Sequence, residues 1–180
     1  MPMFPLRTVA AGFLIALFAI RINGFDLLVD VIGWLLVVLG LSRMEKSVDP
    51  VFGKARLSAV AASALSLAAL VGLTANVVMG LLYMLSGTIT IWLTAEGIIS
   101  RAQAVGDSST ASTFNALRWV LLAVNVTGVV TFYTGALPSG IALITAVAGV
   151  VAVIWFVVRL YMSARLPYLS QPSAPADARE

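Results

Sequence analysis

The sequence predicts an all-α bundle of membrane-crossing helices, and three observations predict it. Of the 180 residues, 61% are hydrophobic and 11% charged, whereas soluble domains run at about 45–50% apolar and about 25% charged residues. Six apolar runs follow one another along the chain. The Lys and Arg residues gather in alternate connections between those runs, as they do when basic loops stay on one side of a bilayer.

The first run covers about Thr8 to Ile20 and the second about Leu27 to Leu41. The third is about Leu57 to Ala75, the fourth Val77 to Ile98, the fifth Leu117 to Leu137 and the sixth Ile141 to Tyr161. The last four have the roughly 20 residues that a spanning helix needs. Each satisfies its own backbone hydrogen bonds, as hydrocarbon requires. Arg43, Lys46, Lys54 and Arg56 separate runs two and three, Arg101 and Arg118 separate four and five, and Arg159, Arg165 and Arg179 follow six. Arg7 precedes the first run, and the connections at Asn76 and Thr134 to Gly140 carry no Lys or Arg. The expected topology is three helical hairpins with both termini cytoplasmic, and Arg21 alone breaks the pattern. Met1 to Ile20 lacks an A-x-A-like cleavage site and reads as a retained first segment. Residues 1–166 read as one membrane domain, and 167–180, rich in Pro, Ser and Ala, as a disordered cytoplasmic tail.

Local signals mark the turns. Thr74-Ala75-Asn76 is a tight outer connection, with Asn76 as a cap. Gly135 to Gly140 holds turn chemistry, with Pro138 placed to start a helix. In the inner loop from Gly106 to Thr113, Ser109 or Ser112 is the expected cap of the next helix. Small residues recur every fourth position at Gly12 and Ala16, at Ala64, Ala68 and Gly72, and at Ala142 and Ala146. Such stripes let helices approach closely, within one chain or across a dimer interface on the third segment. Trp119 and Tyr161 suit an inner aromatic belt and Tyr133 an outer one, while Trp34, Trp92 and Trp155 read as packing residues.

The chain has no Cys and no His, which removes disulfides, thiolate chemistry and most zinc sites. No G-x-S-x-G or P-loop is present. The expectation is a non-enzyme without cofactor or metal, whose partners are membrane lipids and a second copy or a larger membrane complex. The few cations fall at segment ends, so no nucleic-acid partner is expected.

The informative stretch runs from Arg21 through Asn23, Gly24, Asp26 and Asp30 to Trp34. Thr8 to Ile20 rises only roughly 20 Å as a helix, less than the about 30 Å of a hydrocarbon core. A polar bend between two short runs then sits below the outer surface, as a broken hairpin or re-entrant element. A single tilted helix from Thr8 past Asp30 is the alternative, and it upsets the charge parity. Asp26 and Asp30 share a helix face, Asp26 stands where a helix cap would, and Arg21 is the counter-charge. The cluster either locks the turn through an ion pair or lines a hydrated pocket open to the outside. Glu96 is placed to meet Arg101 at the inner interface or to serve transport. Asn125, the amide of the fifth segment, bonds to a neighbouring helix or a backbone carbonyl, or else joins the Arg21/Asp30 site.

Ile22-Asn23-Gly24-Phe25-Asp26-Leu27-Leu28-Val29-Asp30-Val31-Ile32-Gly33-Trp34-Leu35 resembles the signature of a family of small, uncharacterised multi-pass membrane proteins of bacteria. Val29 stands where that signature often has Pro, and Glu96-Gly97-Ile98-Ile99 through Gly106 is similar to the end of its fourth helix. The resemblance implies a bacterial plasma membrane and brings no activity. The functional expectation is an outward-facing polar pocket that binds or moves a small polar ligand, an ion or a lipid head group. The ligand-binding candidates are Arg21, Asn23, Asp26, Asp30, Glu96 and Asn125. The alternative is a non-catalytic accessory or assembly subunit packed against a larger membrane complex.

Overall fold

A computed structural model describes residues 5–18, 26–70, 77–135 and 138–170. Six α-helices follow one another: α1 (Pro5–Phe18), α2 (Asp26–Ser47), α3 (Phe52–Leu70), α4 (Val77–Ala104), α5 (Ser108–Thr134) and α6 (Ser139–Ser163), with a final 3-10 turn at Pro167–Leu169. They form an all-α bundle of three antiparallel hairpins, without strands among the described residues. Each helix packs on its sequence neighbours, and α1 meets α6 to close the ring.

The helices α4, α5 and α6 are long and apolar enough to cross a membrane, and α1 is a shorter apolar helix. These segments point to a membrane location. The described part of α3 falls short of that standard because Lys54 and Arg56 occupy its first turns. The C-terminal ends of α2 and α4 run past their apolar stretches, to Ser47 and Ala104. Their last turns carry polar residues that a helix tolerates once it leaves hydrocarbon.

The tightest contact in the bundle joins α1 to α2. A Cβ placed on Gly33 would lie 2.5 Å from the Ala16 nitrogen, one on Gly12 2.6 Å from the Val37 nitrogen, and one on Gly40 2.8 Å from the Val9 nitrogen. Glycine at these three sites lets two backbones touch. These antiparallel contacts also exclude a single rod from Thr8 past Asp30, because the chain reverses between Gly12 and Gly33.

Five rings from five helices then cross the core edge to face. Tyr83 (α4) meets Trp34 (α2) with centroids 6.3 Å apart, and Trp34 meets Phe13 (α1) at 6.0 Å. Phe13 meets Phe156 (α6) at 5.7 Å, and Phe156 meets Phe114 (α5) at 6.0 Å. T-shaped pairs of this kind match positive ring edges to negative faces. Trp34, Phe13, Phe114 and Phe156 are all buried, so the middle of the bundle is filled.

Three local expectations are corrected. The cap of α5 is Asp107, whose carboxylate accepts from the Thr110 backbone N–H at 3.0 Å, and not Ser109 or Ser112. An acidic acceptor there also suits the positive end of the helix. Trp155 is exposed on α6 and does not pack inward as Trp34 does. Residues 167–170, assigned by composition to a tail, form a docked turn: Leu169 is buried, and Arg101 Nη2 donates to the Tyr168 carbonyl at 3.0 Å. Gly135 closes α5 in the left-handed conformation at φ 61°, and Pro138 precedes α6 as its residues foretell.

Candidate functional site

The charged side chains divide the bundle in two. Nine of the eleven Lys and Arg residues are described, and all nine lie in the half that carries the α2–α3 and α4–α5 connections. There Glu45, Asp49 and Glu96 meet them: Arg56 Nε lies 3.0 Å from Glu45 Oε2, and Arg101 Nη1 lies 3.8 Å from Asp49 Oδ2. In the opposite half, Asp26 and Asp30 are the charged residues among the described ones.

Asp30 is built into a relay of donors. Trp34 follows it by four residues, so one face of α2 presents both side chains. The Trp34 indole N–H donates to the Tyr83 hydroxyl at 2.9 Å, and that hydroxyl points to Asp30 Oδ2 at 3.4 Å. The second distance is long for an O–H···O bond, so the phenol holds the carboxylate loosely while the indole holds the phenol firmly. Ser66 of α3 is buried against the same phenol without a well-formed hydrogen bond. Tyr83 is the seventh residue of α4, which sets Asp30 about 9 Å inward from the start of that helix.

A run of hydroxyls continues inward along α3 and α4. The Ser58 hydroxyl donates to the Ser86 carbonyl at 2.9 Å, and Thr90 Oγ1 lies 2.8 Å from the same carbonyl and 2.9 Å from Ser58 Oγ. Thr94 bonds back to the Thr90 carbonyl at 2.7 Å. Ser86, Thr90 and Thr94 are buried. Back-bonding to the preceding turn is what permits hydroxyls in such a place.

The remaining expected site residues separate. Arg21 and Asn23 lie outside the described residues, as does the turn around Asn76. Asp26 is the first residue of α2. Glu96 pairs with Arg118 of α5, whose guanidinium stacks 4.6 Å over the Trp92 ring, and not with Arg101. Arg101 is instead drawn to Asp49 and the Tyr168 carbonyl, one turn nearer the end of the bundle. Asn125 bonds back to the Leu121 carbonyl at 2.9 Å and lines a cavity of about 370 Å³ with Gly128, Thr145 and Gly149. That cavity adjoins Met84 of α4, whereas Tyr83 turns toward α2, so the structure does not bring Asn125 to Asp30.

Sequence reading missed Tyr83, the partner that α4 brings to Asp30, and Ser66 of α3, which packs against that phenol. A lone Tyr among apolar residues carries no local signal of its role. Among the described residues no three of His, Cys, Asp and Glu come together as a metal site would require. No known family, curated protein or solved structure matches this chain. The second half of the Ile22–Leu35 motif nevertheless has a physical meaning here. Asp30 supplies the carboxylate, Gly33 the contact with α1, and Trp34 both a core ring and a donor.

Proposed function

We propose that this chain is an integral membrane protein whose outer half holds a polar pocket at Asp30, and that the pocket binds a small polar ligand bearing positive charge. The observation that carries this reading is the polar cluster at Asp30, whose Oδ2 lies 3.4 Å from the Tyr83 hydroxyl, itself held by the Trp34 indole N–H at 2.9 Å. Asp30 stands on α2 among apolar helix faces, with Tyr83 and Trp34 beside it. An acid placed so deep in an apolar bundle is costly and marks a functional position by default. Aromatic faces next to a carboxylate suit a cation, which the ring quadrupoles attract as well. The five-ring core below the site favours binding from one side over an open conduit. The basic half of the bundle faces the cytoplasm on this reading, both termini lie there, and the membrane is the plasma membrane. The accessory-subunit alternative has its support in the outward face of α3, where Leu57, Val60, Ala64 and Leu67 are exposed.

The test uses the full chain in lipid nanodiscs, with Trp92, Trp119 and Trp155 replaced by Phe so that Trp34 alone reports. Sodium, calcium and tetramethylammonium chlorides are titrated in turn. The expected result is a saturable change in Trp34 emission with at least one cation, weakened by Tyr83→Phe and abolished by Asp30→Asn. An unaltered titration in a well-folded Asp30→Asn variant rejects the pocket.

A further inference from the structure

At the basic end, Arg159 of α6 differs from its neighbours. Arg56, Arg101 and Arg118 each pair with a carboxylate. Among the described residues no carboxylate lies within ion-pair distance of Arg159, whose Nη2 donates to the Thr113 hydroxyl at 3.1 Å. Its Nε–H is buried without a well-formed hydrogen bond, as is that of Arg118, so what sets Arg159 apart is the missing carboxylate. Asp107 feels its charge without pairing with it, and the Asp107 oxygens already accept from the Thr110 backbone and hydroxyl and from the Tyr168 hydroxyl.

Thr113 is also the inner lip of a groove between α5 and α6. The groove encloses about 500 Å³ and is lined by Ser112, Thr113, Ala116, Leu117, Val120, Ala152 and Trp155. Its polar groups sit at one end and the rest is apolar. From Ser112 to Val120 it extends about 12 Å along α5, close to the depth of one leaflet in a core about 30 Å thick. Trp155, more than half exposed, forms its outward wall one turn from Arg159.

The geometry points to a binding site for one anionic phospholipid of the inner leaflet, its phosphate at Arg159 and Thr113 and an acyl chain along the α5–α6 groove. Charge complementarity selects the head group, and the length and apolar lining of the groove select a lipid over a free anion. Basic recesses between helices at the cytoplasmic face bind lipid head groups in this manner. The inference rests on the membrane reading, and it is independent of the pocket at Asp30.

The experiment takes the full chain in a neutral detergent and follows retained lipid by native mass spectrometry. Phosphatidylglycerol, phosphatidylcholine with the same chains, and inorganic phosphate are the probes. Phosphatidylglycerol is expected to bind about five- to tenfold tighter than phosphatidylcholine, the range that one well-placed cation supplies. Arg159→Gln removes that preference, Arg159→Lys retains most of it, and Arg165→Gln, at an exposed cation on the same end, leaves it intact. Ala116→Phe, which fills the groove from an exposed position, weakens retention of both lipids. Equal losses in Arg159→Gln and Arg165→Gln would reduce the effect to general surface charge and overturn the site. Full competition by inorganic phosphate together with an inert Ala116→Phe would overturn the lipid in favour of a free anion. Asp30→Asn leaves these readings unchanged, which separates this site from the outer pocket.

Discussion

The first and last hairpins are built on opposite principles. In α1–α2, glycines 12, 33 and 40 sit where any side chain would strike the facing helix. In α5–α6, Gly128 and Gly140 have nothing within contact distance of a Cβ, and a cavity of about 370 Å³ opens beside Gly128. One pair is zipped by backbone contact; the other meets through side chains, at Phe114 and Phe156 and where a Cβ on Gly149 would lie 2.9 Å from Val124 Cγ1, and leaves open space around Gly128. Glycine content alone therefore says little about packing. What matters is whether a partner backbone occupies the space the missing side chain leaves.

The largest effect should come from Gly33→Val. The added atoms meet the Ala16 backbone, which cannot rotate away, and overpacking of this kind costs about 3 kcal/mol. Unfolding in mixed micelles followed by circular dichroism checks it, and a value near zero would break the contrast between hairpins. Tyr83→Phe should cost less, about 1–2 kcal/mol, because it leaves the buried Trp34 indole N–H without its acceptor. The same unfolding assay reads this, and the loss should shrink when Trp34→Phe is added. Gly128→Ala should run the other way, with a gain of up to about 1 kcal/mol from helix propensity in open space. Destabilisation by that variant would mean that a partner fills the cavity.

The smallest effect concerns the docked turn at Pro167–Leu169. Hydrogen bonds from the Thr110 backbone, the Thr110 hydroxyl and Tyr168 hold the Asp107 carboxyl below its ordinary value. Burial pushes the Tyr168 phenol up to about 12. Because the carboxyl is depressed, its contribution is present above 3.8 and fades as pH falls through the lowered value. Because the phenol is raised, its contribution is full below 10.0 and is lost as pH rises toward about 12. A fluorophore attached at Ser170→Cys should report release of the turn at both extremes, with little change in helix content. Tyr168→Phe should remove the alkaline step and weaken the acid one, because its hydroxyl is also a donor to Asp107.

Six helices and their pairing were legible because each apolar run is bounded by charge or by turn residues, as at Arg43 to Arg56 and Gly135 to Pro138. The stripe at Gly12 and Ala16 was legible as a close contact for the same reason of spacing. The Ala64 stripe uses identical spacing yet Ala64 faces outward, since periodicity names a face without naming what lies opposite. Helix ends were harder to read, because polar turns such as Arg43 to Ser47 continue a helix that hydropathy declares finished. The candidate site was legible at Asp30, a charge amid apolar residues, and illegible at Tyr83, which reaches it from a helix far away in the chain. Residue type also misdirected the reading of Glu96. Its nearest cation in sequence, Arg101, is turned to another partner, and Arg118 arrives from the next helix.

The ring of helices closes where Phe13 of α1 meets Phe156 of α6, so this junction unites two elements that emerge from the ribosome far apart in time. The glycine seam of the first hairpin is complete once Gly40 has emerged, and it stands ready long before its remaining face is covered. Until the sixth helix arrives, that face and the Phe13 ring are open to whatever shares the bilayer. The interval between the second helix and the sixth is therefore when the first hairpin is most exposed to capture by a neighbouring chain.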